Sequence, residues 1–347
     1  MAAKKKRKVT IILVVFLIVG ALIGYNYYNK IWGDNVVDNE QGYHYLYIKT
    51  GAEFTDVVES LKEEEILHSI DNFKWVAEKK KYTKKVKPGR YKIDQNMSNS
   101  DIVNMLRLGK QDPVKLEFNS IRTVAQLAGA IGQQLEVDSI AFLALFNDRA
   151  YLESKGFTTE NAISVFIPNT YSVNWNIDAK SLFERMCKEY DKFWNSSRRS
   201  LAKTIDLSPT EVSTLASIVE QETAKNDEKP VVAGVYLNRL RKDMLLEADP
   251  TLIFAAGDFS IHRVLNVHKE INSPYNTYMY KGLPPGPICV PSPASIDAVL
   301  HYKKHNYLYF CAKETLDGYH NFAENYKEHL ANAKRYQAAL DRMKIKK

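Results

Sequence analysis

Cysteine is scarce in this chain of 347 residues: Cys187, Cys289 and Cys311 are odd in number, far apart, and form no CxxC pair. Such a set indicates neither a disulfide framework nor a zinc site. There is no GxSxG turn and no glycine-rich phosphate loop, which argues against serine hydrolases of that type and against nucleotide enzymes. No internal repeat with a period of about 20 to 50 residues runs through residues 119 to 347. Acid is missing from the first eight residues, which carry Lys4, Lys5, Lys6, Arg7 and Lys8.

Those five charges supply most of the net +7, so the body has no strong basic bias and nucleic acid is not indicated as a partner. They directly precede an uncharged stretch, Val9 to Tyr28. A helix of that length rises ~30 Å, enough to cross a bilayer's hydrocarbon layer. Tyr25, Tyr27, Tyr28 and Trp32 gather at the far flank, where amphipathic rings favour headgroups, while the basic residues mark the cytoplasmic side. The pattern predicts a basic tail over 1–8, a single transmembrane helix over 9–28, and export of everything after Trp32. A cleaved signal peptide competes, but its short core and AxA-like site fit the stretch around Ala21 to Gly24 poorly. The run LysLysLysArgLysVal also looks like a nuclear-import signal, a reading its contact with a membrane-length segment disfavours.

The chain is long enough for two modest domains or one large one, and with 45% hydrophobic residues overall it can bury real cores. Residues 29–43 are largely polar, with Gly33 and Gly42, and read as a tether. A β-prone alternation follows Tyr43, and then Phe54, Val57, Val58 and Leu61 recur at helical spacing. Ser69 or Asp71 caps a second helix, and Arg90 to Ile93 reads as a strand after the turn residues Pro88 and Gly89. This strand–helix–helix–strand order resembles a LysM module, a small fold that holds N-acetylated glycan. A capped helix from Ser100 to Leu108 and a strand to Phe118 close the expected first domain, 44–118. Residues 119–347 read as one larger α+β catalytic domain.

Chemistry concentrates after Ser208, which with Pro209 and Glu211 forms a capping box that starts a helix. Val212, Leu215, Ile218 or Val219, and Glu222 follow at spacings of three and four, so the Glu222 carboxyl ends an apolar stripe. Glu220, two residues earlier, is ~200° away and is expected to face solvent. A carboxyl against apolar walls holds its proton toward neutral pH and can donate it, as glycosidic cleavage requires. The bland alternative makes Glu222 an interfacial glutamate paired with Arg239 or Arg241. Tyr275, Asn276, Thr277 and Tyr278 offer aromatic faces and hydrogen-bonding groups suited to sugar rings, against a plain surface loop. Gly282 to Ile288, rich in proline and glycine, suits a rigid wall beside a groove.

Seven motifs stand in one order: Leu215 to Thr223, Val232 to Leu240, Leu246 to Thr251, Ser273 to Tyr278, Gly282 to Ile288, Tyr307 to Ala312, and His320 to Phe322. The series resembles the MltG (YceG-like) family of endolytic murein transglycosylases over roughly residues 44 to 340. The resemblance implies a bacterial inner-membrane protein with its catalytic domain outside, acting on nascent peptidoglycan beside wall-synthesis machinery such as penicillin-binding proteins. It marks Glu222, the glutamate before a threonine, as the acid that protonates the oxygen leaving N-acetylmuramic acid. The same carboxylate then takes a proton from that sugar's C6 hydroxyl, giving a 1,6-anhydro end. Glu247 and Asp249 are left to bind substrate, to stabilise positive charge on the sugar, or to turn the chain; Asp249 is taken as a substrate contact.

Asn169 stands where the family usually has aspartate, and Val290ProSerPro293 where Asn-Pro-Gly is common, so those two loops depart from the pattern. His301 and His305 have the i, i+4 spacing of a metal pair but no neighbouring acid, so they read as a solvated basic face; no metal and no cofactor are expected. Two other readings remain: a muramidase-type hydrolase using Glu247 or Asp249 as second carboxylate, and a glycan-binding scaffold without catalysis.

Overall fold

The computed structural model describes residues 2–343 of the chain, and side chains from Arg7 onward. Lys4 to Lys6 of the expected basic tail, as side chains, and residues 344–347 of the expected second domain lie outside the described residues. The fold is mixed α+β, about half helical, with small two-stranded sheets.

Two units divide the chain, and the cut is not single. Unit 1 takes Met1–Leu116 together with Gln134–Glu136 and Tyr171–Ile177; unit 2 takes Glu117–Gln133, Val137–Thr170 and Asp178–Lys347. The elements of unit 1 are α1 (Ala2–Trp32), β1 (Tyr43–Ile48), α2 (Phe54–Glu63), α3 (Ile70–Lys79), β2 (Gly89–Asp94), α4 (Asn99–Leu108), β3 (Val114–Leu116) and β4 (Tyr171–Val173). A lone β3 would leave backbone donors and acceptors unpaired. Antiparallel β4 answers it, Val114 opposite Val173, which draws a segment from far along the chain back to unit 1.

The stretch Arg7–Trp32 of α1 is long and apolar enough to cross a membrane, and its side chains from Val9 to Tyr28 are exposed. Residues 29–43 are not a slack tether. The helix continues to Trp32, Asn35 and Val36 are buried, and Val36 bridges Leu67. Asn35 holds Ser69 at both backbone groups, Nδ2 to its carbonyl and Oδ1 from its N–H, each at 2.9 Å. Composition reads this stretch as polar linker because a buried asparagine paired with backbone looks the same in sequence as a solvated one.

β1 and β2 pair antiparallel, Leu46 opposite Tyr91 and Ile48 opposite Gly89. Alternation puts Leu46, Ile48, Tyr91 and Ile93 on the buried face, with Phe73, Val76, Ile102 and Leu106 packed against them from α3 and α4. Ser69 caps α3 by accepting from Asn72 N–H. Ser98 and Asp101 form a reciprocal box at the start of α4, and Gly109 ends it in the left-handed region at φ 71°.

Unit 2 runs α5 (Val124–Gly132), α6 (Ser139–Asn147), α7 (Arg149–Ser154), α8 (Ala179–Phe193), α9 (Ser196–Thr204), α10 (Pro209–Glu222), α11 (Lys229–Arg241), α12 (Asp249–Ala256), α13 (Asn266–Lys269), α14 (Pro293–Leu300), β5 (Tyr309–Ala312), β6 (His320–Ala323) and α15 (Tyr326–Arg342). Helix α10 is its axis. The box of Ser208 and Glu211 starts it, and Val212, Leu215, Ile218 and Val219 are fully buried against α11 and α14. Burial of each such side chain is worth roughly 1.5–3 kcal/mol, so the register of α10 is firmly held. At Gly234 of α11 a Cβ would lie 2.5 Å from the Lys303 carbonyl, so only glycine admits the crossing 303–305 strand of chain.

Candidate active site

Helix α10 ends at Glu222, and extended Thr223 carries the chain away. The turn is braced from below. Thr223 Oγ1 donates to Glu228 Oε2 at 3.3 Å and accepts from Lys225 N–H, while Glu228 also receives the His320 N–H at 2.8 Å and contacts His320 Nδ1 at 2.7 Å. The catalytic candidate therefore sits at the one end of α10 that β6 pins in place.

Glu222 opens into a cleft of about 440 Å³ within unit 2. Its carboxyl is enclosed by the walls, and the Tyr236 hydroxyl of α11 donates to Oε1 at 2.6 Å. Burial raises the Glu222 pKa to about 7; the Tyr236 hydrogen bond pulls the other way, Asp249 adds to the rise, and Arg239 offsets part of it. The negative end of the helix dipole at the C-terminus of α10 also disfavours a carboxylate there. At neutral pH the group is poised between holding and releasing a proton, which general acid and base work both need.

Arg239 does not pair with Glu222. Its guanidinium donates to the Leu308 carbonyl at 2.6 Å, to those of Leu245 and Leu246 at 3.1 Å, and to Glu247 Oε2 at 2.9 Å. Arg241 reaches the Tyr302 hydroxyl instead. Glu247 is thereby paired, and its backbone stands at φ 50°, a left-handed conformation that a non-glycine residue adopts only under constraint. Its N–H donates to the Thr277 carbonyl.

Asp249 begins α12 and faces the cleft, accepting from the Tyr278 hydroxyl at 2.5 Å. Lys269 of α13 lies 4.6 Å from the centre of the Tyr278 ring. The opposite wall is aromatic: Tyr309 and Phe310 from β5, with Tyr326 and His329 from α15. The imidazole of His329 stacks on Tyr309 at 5.4 Å. Burial, assisted by Arg239, lowers its pKa, and its buried Nδ1 has no hydrogen-bond partner among the described residues.

Of the expected site residues, the structure brings Glu222, Asp249 and Tyr278 to one cleft and keeps three others out of it. Asn276 is wholly buried and stitches its own loop, Nδ2 to the carbonyls of Lys269 and Ile271 and Oδ1 from Tyr278 N–H. Thr277 is buried too, with Oγ1 accepting from Ala248 N–H and sharing a hydrogen bond with Thr251. Tyr275 packs on Phe254 at 4.6 Å. Packing takes up the Tyr275 ring, and neighbouring groups take up the hydrogen bonds of Asn276 and Thr277, which composition alone does not reveal.

Glu220 does not face solvent. It accepts from Ser292 Oγ at 2.6 Å, from Ser295 Oγ, and from buried Lys229 at 3.3 Å, and these partners hold its carboxyl below its usual range despite burial. Every face of α10 is covered, so angular separation from the apolar stripe did not mean exposure. The loop Gly282 to Ile288 lies outside the cleft lining and packs on α10, Ile288 N–H donating to Ser217 Oγ at 2.9 Å. His305 is a packing residue: Nδ1 accepts from Tyr307 N–H and Nε2 meets the Val231 carbonyl at 2.9 Å. Sequence reasoning gave no role to Tyr236, Lys269, Tyr309, Phe310, Tyr326 or His329, and cast Arg239 only as an alternative partner of Glu222. Four of them stood inside quoted motifs; what was missing was the knowledge of which faces of α11 and β5 turn to Glu222.

A profile of the YceG-like family matches residues 46–335. Two Streptococcus pneumoniae proteins named endolytic murein transglycosylase, from strains D39 and R6, are each 29% identical over 324 residues, 85% of this chain and 58% of theirs. The chain thus spans somewhat over half the length of those relatives. A Bacillus subtilis protein of the same name is 28% identical over 305 residues, 83% of each chain. A crystal structure of a yceG-like protein from Listeria monocytogenes superposes with a TM-score of 0.55 at 27% identity, over 83% of this chain and 98% of that one.

Proposed function

The chain belongs to the YceG-like family, and from that premise we propose that it is a membrane-anchored endolytic murein transglycosylase with Glu222 as its acid and then its base. The observation that carries this reading is the enclosed Glu222 carboxyl, with its pKa near 7 and its Oε1 engaged by Tyr236. In the first step the Glu222 proton passes to the glycosidic oxygen as the bond from N-acetylmuramic acid C1 breaks. The C6 hydroxyl of that sugar then attacks C1, and its proton goes to the Glu222 carboxylate. The ring closes as a 1,6-anhydro end, no water is consumed, and Glu222 recovers its starting form.

Asp249 with Tyr278, and the aromatic wall of Tyr309, Tyr326 and His329, hold the sugars on either side. A hydrolytic version keeps the same cleft and uses Asp249 as second carboxylate. It is the runner-up because Asp249 shares the cleft with Glu222.

The strand–helix–helix–strand order supports a LysM-like assignment for residues 44–118, with the groove lined by Tyr47, Thr50, Asp56 and Ser60 as a place for glycan. Residues 119–347 form the catalytic domain in this reading. Helix α1 anchors the protein in the bacterial inner membrane as a single pass with both domains outside. The partners are peptidoglycan strands and, by family, penicillin-binding proteins.

The test is product mass. The full chain and Glu222→Gln are incubated with glycan strands and the new ends weighed. Anhydro ends, lighter by one water than hydrolytic ends and absent with the variant, are the expected result. Heavier ends favour hydrolysis, and no cleavage combined with retained glycan binding favours a scaffold.

A further inference from the structure

Unit 1 is basic at one end, and the fold fixes which end. Helix α3 starts where Ser69 is held by Asn35, beyond the last turn of α1, and by its middle Trp75 lies 5.7 Å from Tyr27 and 4.8 Å from the Lys30 ammonium. It therefore runs back along α1, toward the apolar segment. Helix α4 does the same: Ser98 bridges Asp34, Asn99 Nδ2 donates to the Lys30 carbonyl at 3.0 Å, and further along Lys80 binds Ser100 and Asn104.

At 1.5 Å per residue, Lys79 lies ~6 Å and Arg107 ~12 Å past the level of Lys30. That is level with the upper end of the uncharged stretch of α1. No acid occurs between Glu78 and Asp94, nor between Asp101 and Asp112. Lys79, Lys81, Lys84, Lys85, Arg107 and Lys110 are exposed at this tip, and none of the six forms an ion pair among the described residues. Glu78 is the single acid of the last turn of α3. Leu108 is 55% exposed among these bases, and Lys87 closes the tip by donating to its carbonyl. Glu63, Glu64 and Glu65 stand at the opposite end, where Val37 N–H meets the Ile66 carbonyl.

On the reading that α1 crosses the membrane, we propose that this basic tip of unit 1 docks on the anionic headgroups of the same membrane. The lysines and arginine neutralise lipid phosphates, Leu108 enters the apolar boundary, and long basic side chains extend their heads to the surface. Unit 1 is then seated on the bilayer at two places, the α1 segment and the tip, in place of standing off on a linker.

The test uses the full chain in nanodiscs of phosphatidylcholine, with and without phosphatidylglycerol, read by amide hydrogen exchange. Exchange over residues 79–87 and 105–111 is expected to slow at least about fivefold in the anionic discs, and to return to the neutral-disc rate in high salt. The triple variant Lys81→Glu, Lys84→Glu, Lys85→Glu is expected to lose this protection while the β1 peptide containing Leu46 stays protected, which shows that it is folded. Equal exchange in both discs, or protection appearing only when a soluble anionic wall polymer is added, overturns the proposal. Failure of the chain to enter either disc overturns the anchor reading instead, and glycan cleavage is scored separately, so the three outcomes do not overlap.

Discussion

The Tyr236 hydroxyl lies 2.6 Å from Oε1 of Glu222 and donates to it, so a proton carried by Glu222 resides on Oε2. In the proposed reaction α10 supplies the acid and α11 selects which of its oxygens carries the proton. Tyr236→Phe keeps the ring against Phe310 and removes only the donor. Because that donor favours the ionised form, its loss raises the Glu222 pKa further. The alkaline limb of kcat/KM is expected to move to higher pH, and the plateau to fall by on the order of tenfold to a hundredfold as the carboxyl loses its orientation. A pH–rate profile of the variant on glycan strands checks both; an unmoved limb would contradict the assignment.

Glu222 itself links pH to stability. Its pKa is raised from 4.5 to about 7 in the folded chain. Below pH 4.5 folded and unfolded chains both hold the proton, and between 4.5 and 7 only the folded chain does. Stability from this group is therefore full at low pH and lost as pH rises to 7, a change of about 3 kcal/mol. Glu222→Gln carries no charge to desolvate, so its melting temperature is expected to rise relative to the parent on going from pH 5 to pH 8, while activity falls at least about a hundredfold.

Asn276 and Thr277 are expected to behave as structural residues. Asn276→Ala and Thr277→Val leave buried backbone groups unpaired, each costing about 1–3 kcal/mol, which thermal melting reads directly. Tyr278→Phe removes a hydroxyl that faces Asp249 in the cleft and is expected to melt within ~1 kcal/mol of the parent while losing activity. If Asn276→Ala instead raised KM with an unchanged melt, the loop would be a sugar contact after all.

Arg239 ties three carbonyls and Glu247 together from the buried side of α11. Arg239→Met is expected to destabilise by about 1–3 kcal/mol, since the carbonyls of Leu245, Leu246 and Leu308 lose their shared donor while half-exposed Glu247 is rehydrated. Guanidinium unfolding at fixed pH measures it. Arg239→Lys is expected to recover only part, because one ammonium does not reproduce the planar fork.

Much of this protein is local, and what is local was readable. The 20-residue apolar stretch, the capping residues Ser69 and Ser208, and the alternation that buries Leu46 and Ile48 each depend on neighbours a few positions away. So does the end-of-stripe place of Glu222, which follows from the 3.6-residue turn once Ser208 has started the helix. The tertiary structure decided everything that depends on which surface meets which. It turned Asn35 inward, brought β4 back to β3, and covered the far face of α10 so that Glu220 met Lys229 and two serines. It also spent the hydrogen bonds of Asn276 and Thr277 inside their own loop and aimed Tyr236 at Glu222. A side chain's type and helical angle state what it can bond to; whether a partner, a wall or water stands there is fixed only when distant segments pack.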